Sequence, residues 1–515
     1  MPDTNTISFH ARRAPDKVAV HMGGSGEWLT YAELEAASNR GAHLLRSAGL
    51  RAGDAVAICL DNSLKFFEVA WAAIRSGLVL VPVSTKLTAG EIAFIVQDCS
   101  AKALIVSESI GKAFADMPAA VPGTLLFGVE GHADGYRSWD EEVANQPASP
   151  VSGELPGSEM LYSSGTTGRP KGINYGQSGE AYRGVRDSAL AMFQRLGLTD
   201  DVVYLNPAPL YHSAPFAWSV GTLQFGGTVV VMEKFDAEQA LSLIERYKVT
   251  VSQWVPTHFV RMLKLPEEVR AEYDVSSIRF ALHSAAPCPA SVKREMIEWW
   301  GPVVYEYFGS SEQTALTFIG PDETLTHPGS VGRAVSGAVH ICDEEGEPVP
   351  TGVVGQIYSE GGTDFTYHND ETKTRGARNR YGWTTVGDMG YLDEEGYLYL
   401  SDRKDFMIIT GGVNVYPQEV ENLLVTHPKI TDAAVLGMPD KDYGQIVTAV
   451  IQPADMMLAT PAFREELSAW MRQSLSAVKV PKRIEFLPEL PRLPTGKMAK
   501  HKLRKELEAK ATGQA

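Results

Sequence analysis

A chain of 515 residues, 44% of them apolar, can bury more than one core and is expected to fold as more than one domain. Its formal net charge of −16 argues against nucleic acid as a partner, which needs clustered cations, and disfavours an anionic membrane surface. The cysteines at 59, 99, 288 and 342 are scattered without metal-ligand spacing, so free thiols in a reducing cytoplasm are expected.

Residues 1–13 are polar, carry Asp3 and lack the apolar stretch of a secretory signal. A helix follows to near Pro15, then a short strand over 18–20. Thr30 and Glu33, three apart, mark a capping-box start, and Leu34, Ala37, Gly41, Leu44 and Leu45 continue it at helical spacing. A strand over 55–60, a helix over 63–76 and strands over 78–83 and 103–106 follow; strands alternating with helices predict βαβ units and a mainly parallel sheet. The longest apolar run, 69–83, is broken by Arg75 and Ser76 and is too short to span a bilayer, so no stable membrane anchoring is expected. Residues 108–158, with prolines at 118, 122, 147, 150 and 156, read as a connector.

The connector delivers the chain to Leu161-Tyr162-Ser163-Ser164-Gly165-Thr166-Thr167-Gly168-Arg169-Pro170-Lys171-Gly172-Ile173. Glycines let backbone amides approach a ligand, consecutive amides form an anion-binding concavity, hydroxyls donate to phosphate oxygens, and Arg169 and Lys171 add charge. A polyphosphate cradle is the natural reading. It is not the mononucleotide P-loop, because Pro170 opposes running into a helix and Lys171 is followed by Gly172 instead of a hydroxyl residue.

Beyond it, 180–196 reads as helix and 202–205 as a strand leading to Asn206-Pro207-Ala208-Pro209-Leu210-Tyr211-His212. His212 thus sits on a loop at a strand end, where open α/β sheets bind ligands. A helix over 237–248, a strand over 251–255 and a helix over 258–264 come next. The segment Ile278-Arg279-Phe280-Ala281-Leu282-His283-Ser284-Ala285-Ala286-Pro287 ends a strand in small residues before a helix over 290–300. Then follow Tyr305-Glu306-Tyr307-Phe308-Gly309-Ser310-Ser311-Glu312-Gln313, a strand and turn over 355–361, and Gly387-Asp388-Met389-Gly390. A strand over 397–400 leads to Arg403, Asp405 and Gly411-Gly412, with a helix entry over 413–421 at Pro417. Strands over 430–451, a helix over 462–475 and a strand over 483–487 make a compact α+β unit, and Pro494-Thr495-Gly496-Lys497 lies near the end. Taken alone, His212 is a partly buried structural histidine, Glu312 a surface carboxylate, Asp388 a turn cap and Lys497 a solvated tail charge.

Taken together and in this order, these segments resemble the adenylate-forming superfamily: acyl- and aryl-CoA synthetases, luciferases and peptide-synthetase adenylation domains. The resemblance spans roughly residues 20–505. It implies an α/β fold, with a large multi-subdomain N-terminal α/β domain over 1–402 and a small mobile α+β C-terminal domain over 403–515. It assigns the ATP phosphates to Ser163, Ser164, Gly165, Thr166, Thr167, Gly168 and Lys171, and Mg²⁺ to Glu312 with Thr166. Ala285, Ala286 and Pro287 become one wall of the adenine site, and Tyr307 stacks on the ring, ahead of Phe308, Gly309 and Ser310. In this reading Phe308 stands for the family's Gly, and Ser311, where Thr is commoner, keeps the hydroxyl for the α-phosphate. Asp388 and Arg403 hold ribose. His212 falls on an aromatic gate between acyl pocket and thiol tunnel, Asp405 on the hinge, and Gly411-Gly412 on the loop that meets the pantetheine of coenzyme A. Lys497 is the catalytic lysine.

The reaction so implied joins a carboxylate to the α-phosphate of ATP, releases pyrophosphate, and passes the acyl group to a thiol. Two anions must meet, so catalysis is mainly positioning and charge neutralisation. The segments around 211–218, 254–260 and 283–286 are apolar and aromatic, which favours a fatty, alicyclic or aryl acid. A soluble cytoplasmic carboxylic acid–CoA ligase is expected, with small-molecule partners and room for a homodimer. Adenylation for a carrier protein in trans, delivery to oxygen, and a non-catalytic nucleotide-binding regulator are the alternatives.

Overall fold

The structure, a computed structural model, describes residues 6–164, 170–175, 192–403, 406–492 and 498–511. Two compact units divide the chain. One comprises Met1–Trp254, Glu267–Leu282 and Thr363–Thr374; the other comprises Val255–Pro266, His283–Gly362 and Arg375–Ala515.

The first unit starts with helix Ile7–Arg13 and strand Val18–Met22, divided at Pro15 as the sequence predicts. The capping box is complete: the Glu33 carboxylate accepts from the Thr30 amide at 2.8 Å, and the Glu33 amide donates back to the Thr30 hydroxyl at 3.2 Å, opening helix Tyr31–Ser47. A second box, Thr88 with Glu91, opens helix Ala89–Asp98. A six-stranded parallel sheet runs in the order Arg137–Ser138, Leu125–Val129, Ala103–Ser107, Ala55–Cys59, Val79–Pro82, Ser158–Glu159. Its central strand Ala55–Cys59 is buried along its whole length, as a strand covered on both faces must be.

Residues 108–158 correct the sequence reading. They are no mere connector, since they supply the strands Leu125–Val129, Arg137–Ser138 and Ser158–Glu159 of that sheet. These strands are short and set among prolines and glycines, so their hydrophobic pattern is too brief to register. A second sheet of this unit aligns Val251–Trp254, Val203–Asn206, Thr228–Val231 and Val18–Met22 in parallel, with Trp28–Thr30 antiparallel at the end. A third joins Leu161–Ser164, Pro170–Tyr175 and Phe365–Tyr367, all antiparallel. The helix expected over 180–196 lies outside the described residues except for 192–195, which are helical.

In the second unit, helix Ala290–Trp300 precedes three antiparallel strands, Val304–Phe308, Leu316–Ile319 and Arg333–Ser336. A four-stranded antiparallel sheet follows: Ala338–Cys342, Gly355–Glu360, Asp388–Leu392 and Leu398–Arg403. The C-terminal part is α+β. Its sheet takes the order Val413–Val415, Ile408–Thr410, Gly444–Pro453, Ile430–Asp440, with Arg483–Phe486 parallel to Gly444–Pro453. Helices Pro417–Leu424 and Pro461–Met471 bury Val420, Leu424, Phe463 and Leu467 in its core. Residues 413–415 are a strand instead of the start of a helix, because the β-branched Val413 and Val415 pair with Ile408–Thr410; the helix waits for Pro417 at its first turn.

All four cysteines are free and buried. Among the described residues no helix is long and apolar enough to cross a membrane.

Candidate active site

Strands Leu161–Ser164 and Pro170–Tyr175 form an antiparallel hairpin around residues 165–169, with Ser164 opposite Pro170, Ser163 opposite Lys171 and Tyr162 opposite Gly172. Directly opposed residues share a face, so the Ser163 hydroxyl and the Lys171 amine leave the same side of the hairpin mouth. Gly165, Thr166, Thr167 and Gly168 lie outside the described residues. Behind the mouth, the Tyr162 hydroxyl donates to the Asp98 carboxylate at 2.6 Å, and the Asn369 amide reaches the other oxygen of Asp98 at 3.2 Å. Burial first, and the bond to Asp98 second, raise the Tyr162 pKa, so the phenol stays a donor. Gly172 is required by close approach: a Cβ there would stand 3.0 Å from the Tyr162 ring and 3.0 Å from the His368 Cβ. Asp98 had no signal in the sequence, being one acidic residue at a helix end.

His212 takes the N-cap position of helix Ser213–Gln224 and packs its ring against Tyr211, centroids 4.7 Å apart. The loop before it is held by a residue the sequence did not single out. The buried Asn62 amide donates to the carbonyls of Ala208 and Met232 at 3.0 and 2.8 Å, and its oxygen accepts from the Leu210 amide at 2.8 Å. Pro207 and Pro209 carry no N–H, so this loop borrows its hydrogen bonds from a side chain. Phe216 and Trp218 are buried, against Phe66 and Phe193 respectively.

In the second unit, Ser284 is buried while Ala285 and Ala286 are exposed and Pro287 is half-buried. Ala285 has φ +75°, a left-handed conformation that costs a residue with a Cβ about 1–2 kcal/mol. Backbone strain of this kind collects at ligand-binding turns. Strand Val304–Phe308 ends at Gly309, and Ser310 begins a tight turn in which the Gln313 amide donates to the Ser310 carbonyl at 3.0 Å. That turn buries Glu312 to 8% exposure and brings the Ser310 and Thr314 hydroxyls to 3.2 Å. Ser311 is half-buried.

Asp388 and Arg403 are direct register partners across the consecutive strands Asp388–Leu392 and Leu398–Arg403. The turn before Asp388 is fixed by the Thr385 hydroxyl, which donates to the Ile357 carbonyl at 2.8 Å and accepts from the Gly387 amide at 3.2 Å. Gly411 and Gly412, φ +57° and +80°, form the two-residue turn of a hairpin in which Thr410 faces Val413. Both positions being left-handed is what such hairpin turns demand. Asp405, Lys404 and Lys497 lie outside the described residues. The flanks of residues 493–497 are drawn together, since Arg492 and Met498 bridge and the Ala499 amide donates to the Pro491 carbonyl at 2.9 Å. Just past them, the Lys500 ammonium meets the buried Glu421 carboxylate at 2.7 Å.

Among the described residues no three acids, histidines or cysteines gather into a metal cluster. A single buried carboxylate such as Glu312 fits Mg²⁺, which keeps several waters and takes its other oxygens from substrate phosphates.

The AMP-binding enzyme family matches residues 7–365, and its C-terminal domain matches residues 419–497. The chain belongs to the AMP-binding enzyme family. This AMP-binding enzyme is 31% identical to a fatty acid–acyl-carrier-protein ligase, ScoC, of Streptomyces coeruleorubidus, over 97% of its own length and 95% of that protein's. It is also 31% identical to the long-chain-fatty-acid–CoA ligase FadD13 of Mycobacterium tuberculosis, over 93% of each. Among solved structures it is similar to the o-succinylbenzoate CoA synthetase of Bacillus subtilis in complex with its acyl-adenylate intermediate. That likeness has a TM-score of 0.81 at 27% identity, covering 98% of each chain.

Proposed function

We propose that this chain is an ATP-dependent carboxylic acid–CoA ligase, forming AMP and pyrophosphate and acting on a hydrophobic fatty, alicyclic or aryl acid. The observation that carries the reading is the pairing of Asp388 with Arg403 in a chain that matches both parts of the AMP-binding family. Two charged groups of opposite sign at one strand end suit the paired hydroxyls of a ribose, and the hairpin with Ser163 opposite Lys171 suits the phosphates. Acids named for the relatives, long-chain fatty in one and o-succinylbenzoate in another, bracket the substrate class.

In the first step the acid's carboxylate attacks the α-phosphorus and pyrophosphate leaves. Lys171, Ser163, Ser164 and residues 165–168 hold the β- and γ-phosphates. Ala285, Ala286 and Pro287 offer a flat surface to the adenine, with Phe308 or its neighbour Tyr307 against the ring, and Ser311 donates to the α-phosphate. Glu312, with Thr166, would hold Mg²⁺, which neutralises phosphate charge when bound. Lys497, a compact mobile cation, bridges carboxylate and α-phosphate as charge develops. In the second step a thiolate attacks the mixed anhydride and AMP departs. The small domain, 403–515, turns about Asp405, withdraws Lys497 and presents Gly411-Gly412 to the pantetheine, past the His212 gate. The boundary at 402/403 lies within the second compact unit. The enzyme works in the cytoplasm, where ATP and coenzyme A are at hand, and a homodimer is compatible with this chemistry.

A carrier-protein thiol as acceptor is the second reading, favoured by the likeness to ScoC. The test is AMP and pyrophosphate release with ATP, Mg²⁺ and a panel of fatty, alicyclic and aryl acids, each with and without coenzyme A or a phosphopantetheinylated carrier protein. Turnover that requires coenzyme A and yields the acyl thioester is the expected result. Turnover with the carrier alone transfers the second step to it, and ATP binding without pyrophosphate exchange would sink the ligase reading.

A further inference from the structure

Among the described residues of the second unit, Lys293 and Glu306 form a buried ion pair that the proposed chemistry does not use. They are 1% and 3% exposed, with Nζ and Oε2 2.6 Å apart. The same ammonium donates to the Ser330 carbonyl at 3.0 Å. The Ser330 hydroxyl in turn donates to the Leu398 carbonyl at 2.9 Å and accepts from the Gly332 amide at 3.0 Å. One cation therefore ties helix Ala290–Trp300 to strand Val304–Phe308 and to the turn at 330. Through that turn it reaches strand Leu398–Arg403, whose last residue faces Asp388. On its other side the Glu306 carboxylate stands 3.8 Å from Nδ1 of His283, a fully buried ring packed edge-on against Phe259. Burial, with the Lys293 charge beside it, keeps that imidazole neutral.

Stability alone gives no reason for such a pair, because buried ion pairs can usually be exchanged for apolar groups of similar volume without loss. What an ammonium with fixed acceptors adds is direction. His283 immediately precedes Ser284-Ala285-Ala286-Pro287, Glu306 immediately precedes residues 307–312, and Ser330 bonds the strand that carries Arg403. These are the three pieces of the proposed nucleotide site that belong to this unit, and Lys293 is bonded to two of their supports. We infer that Lys293, through Glu306 and Ser330, is a positioning residue for ATP: it sets the spacing between the adenine wall, the segment ending in Glu312 and the ribose-binding strand pair. The inference rests on the nucleotide reading proposed above.

The decisive variant is Lys293→Met with Glu306→Leu, which replaces the pair by apolar side chains. Its melting temperature, its KM for ATP and for the acid, and its calorimetric affinity for a non-hydrolysable ATP analogue are compared with the unaltered enzyme, alongside Asp388→Ala. The expected result is a folded variant with a melting temperature near the original and a KM for the acid within about twofold, yet ATP-analogue affinity lowered about tenfold or more, the scale on which small misplacements act. Unchanged analogue affinity in the double variant, with Asp388→Ala weakened, overturns the positioning role and leaves the nucleotide site standing. If Asp388→Ala also binds normally, the site reading falls and takes the inference with it. Should the double variant fail to fold, Lys293→Arg decides the matter, because it keeps the charge but alters its reach: weakened analogue binding at an unchanged melting temperature supports the role, and full affinity overturns it.

Discussion

At the scale of single residues, chemistry and support separate cleanly. Lys497, Glu312, Asp388 and Arg403 are picked out by the resemblance to the adenylate-forming superfamily; taken alone, Lys497, Glu312 and Asp388 read as a tail charge, a surface carboxylate and a turn cap. Their supports carry no comparable mark. Asn62 and Asp98 are ordinary polar residues in sequence, and only the loops and strands they hold show their use. Lys497 gives the sharpest test at this scale. Replacing it by alanine is expected to slow adenylation about 10²–10³-fold, the loss typical of one preorganised charge at the transition state. Thioester formation from a supplied acyl-adenylate should survive nearly intact. Pyrophosphate exchange and acyl-CoA release measured separately check the split, and an equal loss in both would remove Lys497 from the first step.

Among elements, the hairpin around residues 165–169 shows how sequence and packing share the work. Its glycines and hydroxyls announced an anion cradle, but the register that sets Ser163 against Lys171, and the narrow space at Gly172, belong to the sheet. Gly172→Val should force Tyr162 and His368 apart, destabilise the protein by about 1–3 kcal/mol as overpacked sites do, and raise the KM for ATP more than the KM for the acid. Thermal melting and steady-state kinetics test this; an unchanged KM for ATP would detach the hairpin from phosphate binding. Long βα units and both predicted capping-box residues were legible because their periodicity runs for a dozen residues or more. The short strands within 108–158 were not, and Val413–Val415 reads as a helix entry in sequence because three residues cannot distinguish one period from the other.

For the molecule as a whole, buried histidines make stability depend on pH. Burial, and to a lesser extent Arg261, lower the pKa of His258 to about 3, and its Nδ1 accepts from the Val255 amide at 3.4 Å. The unfolded chain regains an ordinary histidine near 6.5 and takes up the proton first. Stability from His258 is thus fully present above about pH 6.5 and is lost as pH falls toward 3, at up to about 1.4 kcal/mol per pH unit. His283 is lowered in the same direction. Denaturant midpoints between pH 7.5 and 5 should fall, and His258→Asn should flatten the slope; parallel slopes in the two proteins would count against a neutral buried His258.

The sequence by itself determined the order of the motifs, the βαβ alternation and the compact α+β unit near the end, because these rest on residue type and spacing, which the chain carries locally, and it supplied the reaction class through the resemblance that those motifs carry. The tertiary structure alone decided that Asp388 faces Arg403, that Ala285 is held left-handed, and that Lys293 and Glu306 are buried together. Each of these depends on the register and packing that neighbouring segments take up once the sheets have formed. Such packing is selected by burial and backbone hydrogen bonding over the whole sheet, and no single stretch of sequence encodes it.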